Sequence, residues 1–269
     1  MAMTYVDYIH QIIKKNGCLH QEPFYLEQLY DMGRLRSIPN PYFQRSIDNL
    51  TGIPLTRDYV RSTFSRSFYT GFVAAMLWGG LGKTSWIHLV KAMTTDKPEV
   101  ECKINRLDIM LANGCLREAF HSLQRIGAED NKLPGVGISY YTKLLFFLNE
   151  RKEIQPIIFD KWGTYIHAGL LISQGESDRL RSFYQVGSYG GNVILRCFCN
   201  RKTDYSYAIY ADYLQRMTNL SKELMLDNPG TLEEFLFGKS LKLVSNRTNE
   251  NPRFFVRNYI NSTLMPNRT

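Results

Sequence analysis

The sequence lacks the residue patterns that several kinds of functional site require. Its five cysteines form no Cys-x-x-Cys pair and no run that could hold an iron–sulfur cluster. Its five histidines have no metal-ligand spacing, so we expect no metal site. These spacings favour buried, free thiols in a reducing cytoplasm, which is the compartment that we expect.

Long apolar segments are also missing. The longest apolar run, residues 71–77, is far too short to cross a bilayer. Residues 1–17 predict a short amphipathic helix and not a secretory signal. We therefore expect a protein that neither binds a membrane nor is secreted.

A nucleotide-phosphate loop is incomplete. Residues 79–84 read Gly-Gly-Leu-Gly-Lys-Thr, but Leu77 stands where the Walker pattern requires its first glycine. The preceding residues predict a helix where that motif needs a strand. We therefore interpret the segment as a helix stop and a turn, and we expect no nucleotide cofactor.

Basic and aromatic residues are plentiful. The formal net charge is +8, and there are 17 tyrosines and 15 phenylalanines. A basic surface attracts phosphate polyanions, and aromatic rings supply both a core and stacking surfaces. The composition favours an acidic partner such as nucleic acid.

Apolar residues recur mostly with helical spacing, which predicts a mainly α fold. A Thr-Leu-Glu-Glu capping box at residues 231–234 predicts the start of one helix. Residues 187–198 fit either a strand or an irregular turn, and the polar tail over residues 245–269 is expected to be loosely held. The other predicted helices cover residues 57–78, 84–93, 99–112, 116–126, 138–149, 162–173 and 203–226.

The most specific motif is Leu133-Pro-Gly135-Val136-Gly137, between two amphipathic helices. Its glycines permit positive φ and close approach to the backbone. The N–H groups that begin the second helix lack intrahelical acceptors and bind anions. The pattern predicts a helix-hairpin-helix that binds the DNA backbone without reading sequence, although the five residues alone also fit a plain turn between helices.

Asp160 follows Gly137 by 23 residues, after an apolar segment and at the start of a further predicted helix. A helix cap is one interpretation of this residue. Catalysis is the other, because a carboxylate beside a sugar stabilises the positive charge that develops when a glycosidic bond breaks. The two roles are compatible.

The hairpin followed by this aspartate resembles the helix-hairpin-helix DNA glycosylase superfamily, in particular its 8-oxoguanine glycosylase-like branch. The resemblance covers residues 114–175, under a quarter of the chain. It implies one glycosylase-like unit over residues 1–269, with two helical subdomains and an active site in the cleft between them. It also implies Asp160 as the catalytic residue, base flipping, and a monomer on double-stranded DNA, with no cofactor except a monovalent cation at the hairpin.

Ser139 departs from one branch of this superfamily. Branches that also nick DNA carry a lysine at this place, where it forms a Schiff base with the sugar. Serine at this place predicts a monofunctional enzyme, in which water is the nucleophile that attacks the sugar. Lys143 lies one helical turn further on and offers a lyase as the alternative. We expect it instead to extend toward solvent or, like Ser139, toward a DNA phosphate.

Three aromatic residues are candidates for the base pocket: Trp78, Trp162 and Tyr165. A flipped base is usually stacked on such rings. Core packing explains each of them equally well, and is slightly favoured for Trp78.

Two other functional classes stay open. One is a non-catalytic helix-hairpin-helix DNA-binding module, and the other is a helical scaffold that carries the hairpin by chance. If the chain is a glycosylase, the resemblance leaves two substrates: an oxidised purine such as 8-oxoguanine in DNA repair, or a hypermodified phage base such as glucosylated hydroxymethylcytosine in antiviral defence.

Overall fold

The computed structural model describes residues 3–17, 23–83, 85–124, 130–149, 155–197, 205–237 and 251–265. Fifteen helices and one two-stranded sheet lie within these ranges. The first ten helices are α1 (Tyr5–Asn16), α2 (Leu26–Leu29), α3 (Met32–Arg36), α4 (Pro41–Leu50), α5 (Arg57–Arg66), α6 (Phe68–Trp78), α7 (Trp86–Met93), α8 (Lys97–Ala112), α9 (Leu116–Gln124) and α10 (Ile138–Leu148). The remaining elements are α11 (Lys161–Ser173), α12 (Ser177–Phe183), β1 (Tyr184–Tyr189), β2 (Asn192–Cys197), α13 (Tyr205–Glu223), α14 (Pro229–Phe237) and α15 (Pro252–Leu264).

The chain divides into two compact units. The central unit spans Glu22–Ile158, and the terminal unit combines Met1–Gln21 with Phe159–Thr269. The boundary falls inside the segment 114–175, so the hairpin belongs to the central unit and Asp160 is the second residue of the terminal unit's second segment. No helix in the described part of the chain is long and apolar enough to cross a membrane.

The central unit is built around α6, whose residues Gly71 to Trp78 are all buried. The predicted single helix over residues 57–78 is wrong, because Ser67 has an extended backbone and divides it into α5 and α6. The Ser67 hydroxyl accepts a hydrogen bond from the Thr70 N–H, and serine is a favoured N-cap residue. At the other end of α6 the Tyr30 hydroxyl donates to the Leu77 carbonyl, 2.8 Å away.

The terminal unit is built around α11, in which every residue from Gly163 to Leu171 is buried. Gly169 lets two other helices approach closely. A Cβ there would come within 2.6 Å of the Tyr5 ring on α1 and 2.9 Å of Val256 on α15. Residues 251–265 therefore do not form the loosely held tail that the sequence suggested, since α15 packs Val256 and Ile260 into the core.

Two further local expectations are settled by turn and cap residues. Strands β1 and β2 pair antiparallel through Gly190 and Gly191, which both have positive φ as a tight hairpin turn requires. The strand interpretation of this segment is thus confirmed over its described residues.

The capping box predicted at residues 231–234 is wrong, because the Asn228 side chain accepts from the Thr231 N–H and α14 begins earlier, at Pro229.

The expected burial of the thiols is also wrong for the described cysteines. Cys102 is exposed, and Cys115 and Cys197 are partly exposed. Cys102 and Cys115 are free thiols.

A buried polar network joins α11, α12, β1 and α13 in the terminal unit. His167 is fully buried, with Nε2 2.7 Å from Asp212 Oδ2 and Nδ1 2.6 Å from the Tyr184 hydroxyl. Asp212 also accepts from Arg216 Nε and pairs with Arg179. Burial lowers the pKa of His167, so a neutral ring donates to Asp212 and accepts from Tyr184.

Asp212 holds this network together electrostatically. Burial alone would raise its pKa, but hydrogen bonds from His167 and Arg216 lower it to about 2. The group therefore stabilises the fold above its ordinary pKa of 3.8, and this stabilisation is lost as the pH falls toward 2.

Replacing Asp212 with Asn should lower the free energy of unfolding at pH 7 by about 3 kcal/mol, because two arginines lose their buried counter-charge. Urea unfolding of wild type and Asp212→Asn measures this difference, which should shrink between about pH 4 and pH 2. Asp178→Asn is the matched control, since its carboxylate is exposed and should leave the midpoint unchanged. Equal unfolding midpoints for Asp212→Asn and Asp178→Asn would contradict the account.

Candidate active site and DNA-binding hairpin

Asp160 is the N-cap residue of α11. Its Oδ1 accepts hydrogen bonds from the backbone N–H groups of Trp162, at 2.8 Å, and Gly163, at 3.3 Å. Its own carbonyl accepts from the Thr164 hydroxyl. Hydrogen bonds to the charged form and the positive end of the helix both favour an ionised carboxylate. Asp160 is half-buried, and it directly follows the buried residues Ile157, Ile158 and Phe159 in the sequence.

Charged and polar groups of three other elements of the terminal unit act on this end of α11. The guanidinium of Arg253 lies over the Trp162 ring at 4.8 Å, at the start of α15. Burial lowers the pKa of Arg253 to about 10, and the charges of Asp160 and Glu233 oppose that shift. Burial, Glu233 and Asp160 together raise the pKa of Tyr213 well above its ordinary value. No periodic pattern in the sequence indicated Glu233 or Arg253, which approach through the tertiary packing of α14 and α15.

The hairpin has the backbone geometry that its glycines suggest. Gly135 has a φ of +73°, and a Cβ there would come within 2.2 Å of the His88 carbonyl oxygen on α7. Leu133 and Val136 are buried and anchor the turn in the central unit. The hairpin thus packs closely against α7, and only glycine fits at position 135.

Gly137 differs from Gly135 in both conformation and surroundings. It is the exposed N-cap residue of α10, its φ is −109°, and a Cβ there would meet nothing within 4 Å. As a glycine it offers no side chain to the first N–H groups of α10. This end of the helix therefore suits an external anion.

Ser139 and Lys143 lie one turn apart on α10 and are in contact. The Lys143 ammonium donates to the Ser139 carbonyl at 3.2 Å and to the Ser139 hydroxyl at 3.3 Å. The expected extension of Lys143 to solvent is wrong, because the residue is only 2% exposed. Gly79 makes room for the lysine stem, since a Cβ there would come within 2.6 Å of Lys143 Cδ.

The three candidate pocket residues are divided between the two units. Trp78 is buried in the central unit, in edge-to-face contact with Phe147 and under the guanidinium of Arg57. Trp162 is half-buried in the terminal unit, and its ring centroid lies 5.8 Å from that of Tyr165. The buried Tyr165 hydroxyl donates to the Val193 carbonyl at 2.6 Å. The role of all three in a base pocket stays a prediction.

The two hairpin glycines give opposite predictions. Gly135→Ala should lower the free energy of unfolding by about 2 kcal/mol, because it combines a strained φ with a backbone clash. Gly137→Ala should change stability little, because its Cβ meets nothing within 4 Å, yet weaken DNA binding, because the added methyl group would take up space outside the N-terminus of α10 where a phosphate would lie. Thermal melts and fluorescence anisotropy with a duplex oligonucleotide measure the two effects. Wild-type affinity in Gly137→Ala would exclude this helix end as the phosphate site.

Comparison with known proteins identifies a family for this chain. A family model described as "Putative 8-oxoguanine DNA glycosylase OGG-like protein" matches residues 48–237, a range that includes the hairpin and Asp160. No curated protein and no solved structure shows significant similarity to the chain. The mainly helical structure and the family match confirm the predicted fold class of helix-hairpin-helix DNA glycosylases. The chain therefore belongs to the OGG-like 8-oxoguanine DNA glycosylase family.

Proposed function

We propose that the protein is a monofunctional DNA glycosylase, which flips a modified base out of double-stranded DNA and hydrolyses its N-glycosidic bond. The observation that carries this proposal is the carboxylate of Asp160, held at the N-terminus of α11 by two backbone N–H groups. These hydrogen bonds favour the charged form of the carboxylate and hold it in one orientation before the substrate binds. These are the properties that stabilise a cationic sugar in the transition state.

In the proposed reaction the bond between the sugar C1′ and the base breaks, and its electron pair leaves with the base. The sugar gains oxocarbenium character, which the Asp160 carboxylate stabilises through space. Water adds to C1′ and gives up a proton, for which Asp160 is a suitably placed acceptor by resemblance to the family. The departing base takes up one proton in turn, so the products are the neutral free base and an abasic site, with the DNA strand intact.

The α10 N-terminus is proposed to bind a DNA phosphate on the same substrate. The exposed Gly137 and the tight packing of Gly135 on α7 support this assignment. A monovalent cation at the hairpin stays a prediction.

An oxidised purine such as 8-oxoguanine is the first substrate to test, because the family's description names that base. The hypermodified phage base stays the second candidate. A panel of DNAs distinguishes them: duplexes with 8-oxoguanine, duplexes with unmodified bases, and phage DNA containing glucosylated hydroxymethylcytosine. Mass spectrometry of the released base identifies which one is cut.

Asp160→Asn should reduce base release at least about a hundredfold, because the charge that stabilises the sugar is lost. Asparagine is as good an N-cap as aspartate, so the fold and DNA affinity should be kept. Single-turnover release of free base measures the loss, with Asp178→Asn as the control for an exposed aspartate. Full activity in Asp160→Asn would contradict the proposed chemistry, and DNA binding without base release by the wild type would favour a binding module.

A lyase that uses Lys143 is the second candidate activity. Its specific support is the burial of the Lys143 amine beside Ser139, the place of the Schiff-base lysine in relatives that nick DNA. In that case the amine, once it has lost a proton, displaces the base at C1′, and the base leaves with the electron pair of the glycosidic bond. The nitrogen then loses its second proton, the C1′–O4′ bond opens and O4′ takes up a proton, which gives an imine. Loss of a C2′ proton and departure of the 3′-phosphate then cut the strand.

Borohydride distinguishes water from Lys143 as the nucleophile. A monofunctional enzyme should leave no covalent protein–DNA product when borohydride is present during base release. A trapped product that disappears in Lys143→Met, but persists in a variant of the exposed Lys161, would show that Lys143 is the nucleophile.

A further inference from the structure

Arg253, the second residue of α15, is held by aromatic faces. Its guanidinium lies 4.0 Å from the ring centre of Phe237, at the end of α14, and 4.8 Å from that of Trp162, in the first turn of α11. Both distances are within the range of a cation–π interaction. Trp162 is also the residue whose N–H donates to Asp160 Oδ1. One side chain thus connects the positive charge of Arg253 to the backbone that fixes the carboxylate.

Two aromatic rings contact the guanidinium of Arg253. Its Nε and Nη2 atoms are buried, and neither has a hydrogen-bond partner among the residues that the structure describes. A cation placed in this way acts on its surroundings mainly through its charge. Since desolvated charges interact strongly over several ångströms, that influence is large here.

Two carboxylates lie within the electrostatic reach of this guanidinium. Asp160 and Glu233 both favour the charged form of Arg253, against the effect of burial. Because such interactions are reciprocal, Arg253 favours the charged form of both carboxylates. Glu233 is only 1% exposed, and the charged form of a buried carboxylate is costly unless a cation lies near it.

Three other titratable groups in the described part of the terminal unit are neutral or screened by water. Tyr213 on α13 is fully buried, and burial with the two carboxylates raises its pKa well above the ordinary value, so it stays neutral. Tyr5 on α1 stays neutral for the same reason of burial. Lys161 on α11 is exposed, where water screens its charge.

We infer that Arg253 is a positioning residue for base excision, which favours the charged form of Asp160 and packs on Trp162 to fix the cap that orients this carboxylate. The catalytic importance of this role rests on the proposed function of Asp160. Removing the charge of Arg253 should make Asp160 take up a proton at higher pH and slow base release on the acidic side of the pH profile.

The test measures the protonation of Asp160 directly, and separately from activity. The full-length protein is labelled with ¹³C at the aspartate carboxyl carbons, and the Asp160 signal is assigned by its loss in Asp160→Asn. Its titration is followed by NMR in wild type, Arg253→Met, Arg253→Gln, Arg253→Lys and Arg257→Met. The last variant is the matched control, because Arg257 is an exposed arginine on the same helix.

The Asp160 midpoint should rise by about 0.5 to 1 pH unit in Arg253→Met and Arg253→Gln. It should stay near the wild-type value in Arg253→Lys, which keeps the charge, and in Arg257→Met. The acidic limb of single-turnover base release should move by the same amount in the same variants. Two neutral replacements are used so that loss of folding in one of them leaves the other to decide.

An unchanged Asp160 midpoint in the folded neutral variants would overturn the inference, even if the wild type excises bases. A loss of activity in Arg253→Met that is equal at every pH and is not rescued by Arg253→Lys would also overturn it, since it would mark a purely structural role. A shifted midpoint in a protein that releases no base would instead refute the proposed function and leave the electrostatic action of Arg253 established.

Discussion

The hydrogen bonds from the Trp162 and Gly163 N–H groups to Asp160 are the interaction on which the terminal unit's chemistry depends. These two hydrogen bonds cap the N-terminus of α11, directly after the buried segment that precedes Asp160. They also hold the carboxylate at this end of the helix. A helix N-terminus needs an acceptor in any case, so the group that completes the fold is also the group available to a cationic sugar. The rest of the unit supports this cap: α11 is packed by α1 and α15 across Gly169, and Arg253 covers Trp162.

Local patterns in the sequence predicted those features whose cause is local. Gly135 predicted the tight turn of the hairpin because positive φ and close backbone approach are properties of glycine itself, and Asp160 predicted a helix start because its side chain caps its own neighbours. The family match over residues 48–237 agrees with that interpretation. Helical periodicity likewise located most of the helices, although it joined α5 to α6, since apolar spacing continues across Ser67 and only its cap geometry separates them.

Features caused by tertiary contact could not be predicted in this way. Lys143 is a long cationic side chain on an amphipathic helix, for which an exposed position is the usual outcome; its burial follows from the missing side chain at Gly79, 64 positions earlier in the chain. The polar segment after Ser245 suggested a loose tail, yet α15 brings Arg253 to the start of α11. Glu233 belonged to a plausible capping box and is instead a buried carboxylate near Arg253. Each of these placements depends on a partner distant in sequence, and no local period records it.

The central claim is that Asp160 presents its negative charge to a positively charged sugar. Affinity for two abasic-site analogues in duplex DNA tests it directly and without knowledge of the substrate base: a pyrrolidine, which is cationic, and tetrahydrofuran, which is neutral. The account predicts that wild type binds the pyrrolidine duplex at least about tenfold more tightly than the tetrahydrofuran duplex, and that Asp160→Asn loses this preference while its tetrahydrofuran affinity is unchanged. An equal preference in wild type and Asp160→Asn would contradict it.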